Sequence, residues 1–159
     1  MKKTFTLFLI LLLILSCKQE NKNGIGNNQY PIQDFANLFS DKEENELTKK
    51  IITFKKNTAN EICIYTIDSI TNKLDTESFA TKLAYDIGID TYEKQNGLLL
   101  LIAKNNNEFA FATGNKAKKV ITDSICKKIS KNILIPYFSK NEFYKGSIIT
   151  LDNIISNWK

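Results

Sequence analysis

The chain has 159 residues and a formal net charge of +5, and its 22 basic residues are all lysine; neither histidine nor arginine occurs. That excludes Ser-His-Asp and Cys-His catalytic arrangements, histidine-ligated zinc and an arginine-based phosphate loop. No GxxxxGK[ST] or GxGxxG run is present, which excludes the common glycine-rich nucleotide cradles, and the lysines, read as spread along the chain, point to a solvated surface rather than nucleic acid.

Met1-Lys2-Lys3-Thr4 is a short positive start, and Phe5 to Leu15 is a nearly unbroken apolar run. At about eleven residues the run is too short for a bilayer core, which needs about 20. Ile14-Leu15-Ser16-Cys17 then places a small residue before a cysteine, the layout of a bacterial lipoprotein signal. The expectation is cleavage between Ser16 and Cys17, with lipid (palmitate among its chains) on Cys17. The mature protein would then be exported and anchored in the cell envelope. Lys18, where an Asp marks inner-membrane retention in some bacteria, favours the outer membrane. The alternative is an ordinary signal peptide with an incidental Cys17. Residues 17–29 are polar and read as a tether, so the domain is expected over 30–159.

Ser40 and Glu43 form a capping box for a first helix over 41–57, with Leu47, Ile51, Phe54 and Thr58 on one face. Glu61–Ile67 is β-rich and apolar on both faces. Asp75 caps a second helix over 76–87, whose inward stripe is Phe79, Ala80, Leu83, Ala84 and Ile87, and Gly88 ends it. Gly97–Ala103 is continuously apolar, as a strand covered on both faces must be. A turn at 104–106 joins it to an alternating strand over 107–113. A third helix starts near Thr122, turns Ile125, Cys126, Ile129 and Ile133 inward and stops at Pro136. A fourth covers 141–157, with Tyr144, Ile148, Leu151, Ile155 and Trp158 on one stripe. Cys63 and Cys126 read as buried small hydrophobes. The pattern predicts an α/β protein: a three-layer α/β/α sandwich with a small mixed sheet and about four helices. Strand 61–67, helix 76–87 and strand 97–103 should form a right-handed parallel crossover.

Six segments in this order resemble the TPM domain family of exported bacterial and thylakoid-lumen proteins. They are Ile32-Gln33-Asp34-Phe35-Ala36-Asn37-Leu38-Phe39-Ser40, Ile87-Gly88, Asn96-Gly97 with the leucine-rich strand after it, Thr113-Gly114, Thr122-Asp123, and Ile135-Pro136-Tyr137-Phe138 with Phe143 beyond. The match spans 30–158. One departure stands out: where the family reads Gly-Tyr-Gly-Leu-Glu, this chain reads Gly114-Asn115-Lys116-Ala117-Lys118.

The resemblance implies calcium binding, and in some members a metal-dependent phosphatase. Other members are accessory factors for membrane complexes. Calcium takes six to eight oxygen ligands. Loops at one end of the sheet would gather Asp34, Asp90, Asn96 and Asp123, with backbone carbonyls near Gly97 and Gly114. Each side chain also has a structural reading: Asp34 as a turn cap, Asn96-Gly97 as a turn dipeptide, Asp123 at a helix N-terminus, and Asp90 as a solvated loop residue. Lys116 and Lys118 oppose a cation. The sequence therefore favours a lipid-anchored, non-catalytic interaction module with an unknown envelope partner, over a metal-dependent phosphatase of the TPM type; no catalytic residue is assigned.

Overall fold

The computed structural model describes residues 31–71, 73–89 and 94–158. The expected signal, Ser16, Cys17, the tether and Asp90 lie outside the described residues. Among the described residues the order is β1 (Ile32–Asp34), α1 (Asp41–Thr58), β2 (Glu61–Ile67), α2 (Thr76–Asp86), β3 (Gly97–Ala103), β4 (Glu108–Thr113), α3 (Asn115–Lys118), α4 and α5 (Phe143–Asn157). Helix α4 is composite: an α segment Asp123–Ile129, a π turn Ser130–Leu134 and a closing α turn Ile135–Phe138.

The four strands lie in the order β1-β2-β3-β4. The first three are parallel, and β4 returns antiparallel to β3. Alternation along β2 and β3 divides the core in two. Ile62, Ile64, Leu98, Leu100 and Ile102 face α1, α4 and α5. Cys63, Leu99 and Leu101 face α2. This is the three-layer mixed α/β architecture that the periodicity predicts. Every residue of β3 is buried, and the two cysteines sit on opposite faces of the sheet. Both are free thiols, and burial pushes Cys63 up to about 12 and Cys126 up to about 11.

Helix α1 has the predicted capping box: Glu43 N–H donates to Ser40 Oγ, and Ser40 N–H donates to Glu43 Oε2. Leu47, Ile51 and Phe54 are its buried stripe. Asp75 caps α2 by accepting from Ser78 N–H at 2.8 Å. Ala80 and Ala84 of α2 and Ala110 and Ala112 of β4 belong to one buried cluster. Side chains this small let helix and strand approach closely.

The structure departs from the periodicity in four places. Ile32–Asp34 pairs with β2 as a short strand, where the sequence reading assigns no element before α1. The turn after β4 is a four-residue helix, α3. Pro136 does not stop α4. The π turn precedes it, with Ile135 N–H donating to the Ser130 carbonyl, and this re-spaces the backbone ahead of the residue that lacks an N–H. Inward positions therefore run from Ile129 to Leu134, five apart, and Leu134 rather than Ile133 is fully buried. Helix α5 is rotated from its expected stripe: Ser147, Thr150, Leu151 and Ile154 are buried, while Tyr144, Ile148 and Ile155 are only partly so.

The topology has one unusual feature. Sequential parallel strands whose connecting helices, α1 and α2, lie on opposite faces require crossovers of opposite hand. Parallel crossovers are right-handed in about 98% of cases, so one of the two departs from that rule.

Gly97 opens β3 because nothing larger fits. A Cβ there would stand 1.8 Å from the carbonyl oxygen of Ile89. Its pairing with Asn96 is thus a close backbone approach and not a turn. Gly97→Ala should cost about 3 kcal/mol of stability, since the opposing group is backbone and must shift as a unit. Urea unfolding would read this as a lower midpoint at unchanged slope; a variant as stable as the parent would contradict the packing.

Candidate functional site

The parallel strands give the sheet two polar ends. At the carboxyl end, the loop leaving β1 leads to one face and the loop leaving β2 to the other. A crevice between diverging loops is where open α/β sheets place ligands. Asp34 and Thr66 are register partners at this point. The Asp34 carboxylate accepts from Leu38 N–H at 3.0 Å and Phe39 N–H at 2.8 Å, and the Thr66 hydroxyl donates to it. Thr66 Oγ1 in turn accepts from Ala36 N–H at 3.1 Å. Asn37 takes a left-handed conformation, φ 48°, which lets the chain curl back around the carboxylate. The Lys104 ammonium donates to the Ala36 carbonyl at 3.4 Å, bringing a positive charge to the rim of the same loop. Asp34 is thus the organiser of the turn that delivers Ser40 to the start of α1.

The amino end holds the other candidates. Asn96 Nδ2 donates to the Ala59 carbonyl, while its Oδ1 is buried without a hydrogen-bond partner. Gly114 N–H donates to the Gly97 carbonyl at 2.9 Å, and the N–H groups of Lys116 and Ala117 donate to the Gln95 carbonyl at 2.8 and 3.1 Å. Asp123 is the first residue of α4, whose cap is Thr122. Its carboxylate pairs with Lys118 Nζ at 3.1 Å. The lysine standing at the family's glutamate position therefore neutralises the nearest acid.

The nominated residues that are described are not brought to one place. Asp34 lies at the carboxyl end, and Asn96, Gly97, Gly114 and Asp123 belong to the opposite end. The seven residues of β2 separate the ends by roughly 20 Å at about 3.3 Å per residue, whereas calcium draws its ligands to about 2.3–2.6 Å. Among the described residues, no three His, Cys, Asp or Glu side chains are grouped to hold a metal ion.

Three further polar groups were not singled out by the sequence. Glu61, at the start of β2, is only 5% exposed and pairs with Lys55 at 3.2 Å and Lys94 at 3.3 Å. Thr66 is the polar break in an otherwise apolar strand, and Lys104 directly follows β3. A polar residue inside an apolar strand was the available signal for the first two. Away from both ends, an open groove of about 930 Å³ runs between α1 and α5. Phe54, Ile148 and Ile155 line it, and the ion pair Lys50–Asp152 and the hydrogen bond from Tyr144 to Glu46 cross it. Donation to Glu46 pushes the Tyr144 phenol up to about 12.

Asp34→Ala leaves the donors of Leu38, Phe39 and Thr66 without their acceptor and should cost about 2–3 kcal/mol. Thr66→Val should cost less, and the double variant less than the sum, because the two side chains share one network. Strict additivity in a denaturation cycle would show that they act separately.

The fold is shared with solved structures. The N-terminal domain of a protein from P. gingivalis superposes with a TM-score of 0.74, at 23% identity, over 81% of this chain and 82% of that one. The BA42 protein of Bizionia argentinensis gives 0.63 at 20% identity, over 76% and 86%. The N-terminal domain of a Corynebacterium glutamicum protein gives 0.64 at 14%, over 82% and 81%. No curated protein matches the chain at a significant level. The TPM domain profile matches residues 32–157, a span that runs from β1 through the last residue of α5, and on that match the chain belongs to the TPM domain family.

Proposed function

We propose that this TPM-domain chain is a lipid-anchored protein of the cell envelope and a non-catalytic interaction module for a membrane or envelope complex. The observation that carries the non-catalytic reading is the commitment of its acids. Asp34 is engaged by two backbone N–H groups and a hydroxyl, and Asp123 by Lys118. A phosphatase needs an activated nucleophile or water and groups that stabilise phosphoryl charge. In this chain that would require a metal held by carboxylates, or lysines, and Asp34 and Asp123 already have structural partners.

Anchoring rests on Leu15-Ser16-Cys17 after the apolar run. Among the described residues no helix is long and apolar enough to cross a membrane, so a covalent lipid at Cys17 would supply the attachment. Bacterial lipoproteins carry more than one acyl chain, and two membrane signals suffice for stable anchoring.

Two measurements test this reading. In cells fed labelled palmitate, the parent chain should carry label and sediment with membranes, and Cys17→Ala should lose the label. Label retained by that variant would contradict lipidation at Cys17. For the metal, thermal unfolding of the full chain in detergent is compared in calcium, magnesium and EDTA. A ligand binding only the folded state at about 100 times its Kd adds about 2.7 kcal/mol. No calcium-specific rise is expected; a rise abolished by Asp123→Ala would show an acidic metal site, and calcium-dependent phosphatase activity lost in the same variant would overturn the non-catalytic reading.

A further inference from the structure

Strand β4 is an outer strand of the sheet. Its pairing with β3 fixes which backbone groups point outward. Gly114 N–H donates to the Gly97 carbonyl, so Gly97 and Gly114 are a hydrogen-bonded pair of the antiparallel ladder. By alternation, Ala112, Ala110 and Glu108 face β3 through their N–H and C=O groups. Phe109, Phe111 and Thr113 turn theirs away from it, and no described residue pairs with them.

Edge strands of this kind are normally blunted by lysine, proline, a bulge or extreme shortness. The six residues of β4, Glu-Phe-Ala-Phe-Ala-Thr, contain no lysine or proline, and the register with β3 is unbroken.

One side of this edge is basic; on the other, α2, which carries Glu77, Lys82 and Asp86, packs against β4, and Glu108 lies in the strand itself. Residues 114–140 hold seven lysines against one acid, Asp123, while the rest of the chain holds fifteen lysines against sixteen acids. The even spread suggested by composition does not hold: the positive excess belongs to this segment. All seven lysines are exposed. The segment also follows β4 in space. Helix α3 begins where β4 ends, and the last turn of α4 meets the start of β4, with the rings of Phe138 and Phe109 edge-on at 5.7 Å. Helix α4 thus reaches the start of β4 with its last turn and carries Lys127, Lys128 and Lys131 on its exposed side.

We infer that the outer edge of β4 binds an extended acidic segment of a partner protein, which adds to the sheet as a fifth strand. Strand addition takes its affinity from main-chain hydrogen bonds and its specificity from flanking side chains. Three outward residues offer about six main-chain hydrogen bonds to an antiparallel strand, and the flanking lysines favour a chain of negative charge. This deepens the interaction-module reading and rests on it, yet it is tested separately: calcium binding or loss of the lipid anchor would change that reading and leave the β4 edge as it is.

The test uses the full chain in detergent micelles and two synthetic peptides, an alternating Glu-Val repeat and an alternating Lys-Val repeat. The Glu-Val peptide should bind at least about tenfold more tightly, a difference of about 1.4 kcal/mol, and should shift the amide resonances of Phe109, Phe111 and Thr113. Thr113→Pro removes an outward N–H and no ladder bond, so binding should be lost at an unchanged melting temperature. Should that variant not fold, the exposed pair Lys127→Glu and Lys131→Glu reads the charge contribution alone and should weaken binding while leaving the melting temperature in place. Equal binding of both peptides, or binding that survives Thr113→Pro or the double charge reversal, would overturn the proposal. So would capture of the chain by phosphatidylglycerol vesicles with no peptide binding, which would assign the lysines to a lipid surface.

Discussion

All seven residues of β3 are withdrawn from solvent, and the molecule is arranged around that burial. A strand with apolar side chains on both faces must be covered twice. Each fully buried leucine contributes roughly 1.5–3 kcal/mol, so leaving either face open would forfeit much of the stability of a domain this size. Helices α1, α4 and α5 cover one face, and α2 covers the other. Covering both faces from strands laid in sequential order is also what forces the two parallel crossovers into opposite hands. Gly97 belongs to the same constraint: β3 can begin where it does only because the Ile89 carbonyl approaches without a side chain in its way.

Once the faces are closed, polarity is confined to the sheet's two ends and its edges. At the carboxyl end, Asp34 and Thr66 hold the loop that starts α1. At the amino end, Glu61 is clamped by Lys55 and Lys94, and Asp123 is matched by Lys118. These groups hold the connections in place, and their charge is largely answered by neighbours. Among the described residues, the sheet keeps unpaired backbone only along its outer strands, and the segment that follows β4 holds the chain's excess of lysine.

Most of the layered fold is legible in the sequence because burial writes itself into local patterns. EICIYTI and GLLLLIA mark β2 and β3 to the residue, and Ser40–Glu43 and Asp75 mark the starts of α1 and α2. The misreadings have physical causes. Strand β1 has only three residues, too few to show alternation. The π turn before Pro136 inserts one residue into a 3.6-residue count and moves the inward position from Ile133 to Leu134. In α5, Ser147 and Thr150 are buried, and a hydrophobicity stripe places such residues outside. The candidate site was less legible. Residue types suggest ligands, but sequence alone does not say that Asp34 and Asn96 cap opposite ends of parallel strands. The clustering of lysine in 114–140 was present in the sequence from the start; it acquires meaning only when that segment is seen to begin at one end of an outer strand and to return to the other.

The most direct check on a sheet closed at both faces and open along β4 is amide hydrogen exchange on the free, full-length chain. The amides of β3 and the inward-facing amides of Ala110 and Ala112 should exchange only through global unfolding, while those of Phe109, Phe111 and Thr113 should exchange through small local openings, orders of magnitude faster. If all of β4 were protected alike, its outer edge would already be covered, and the account of an open docking strand would be contradicted.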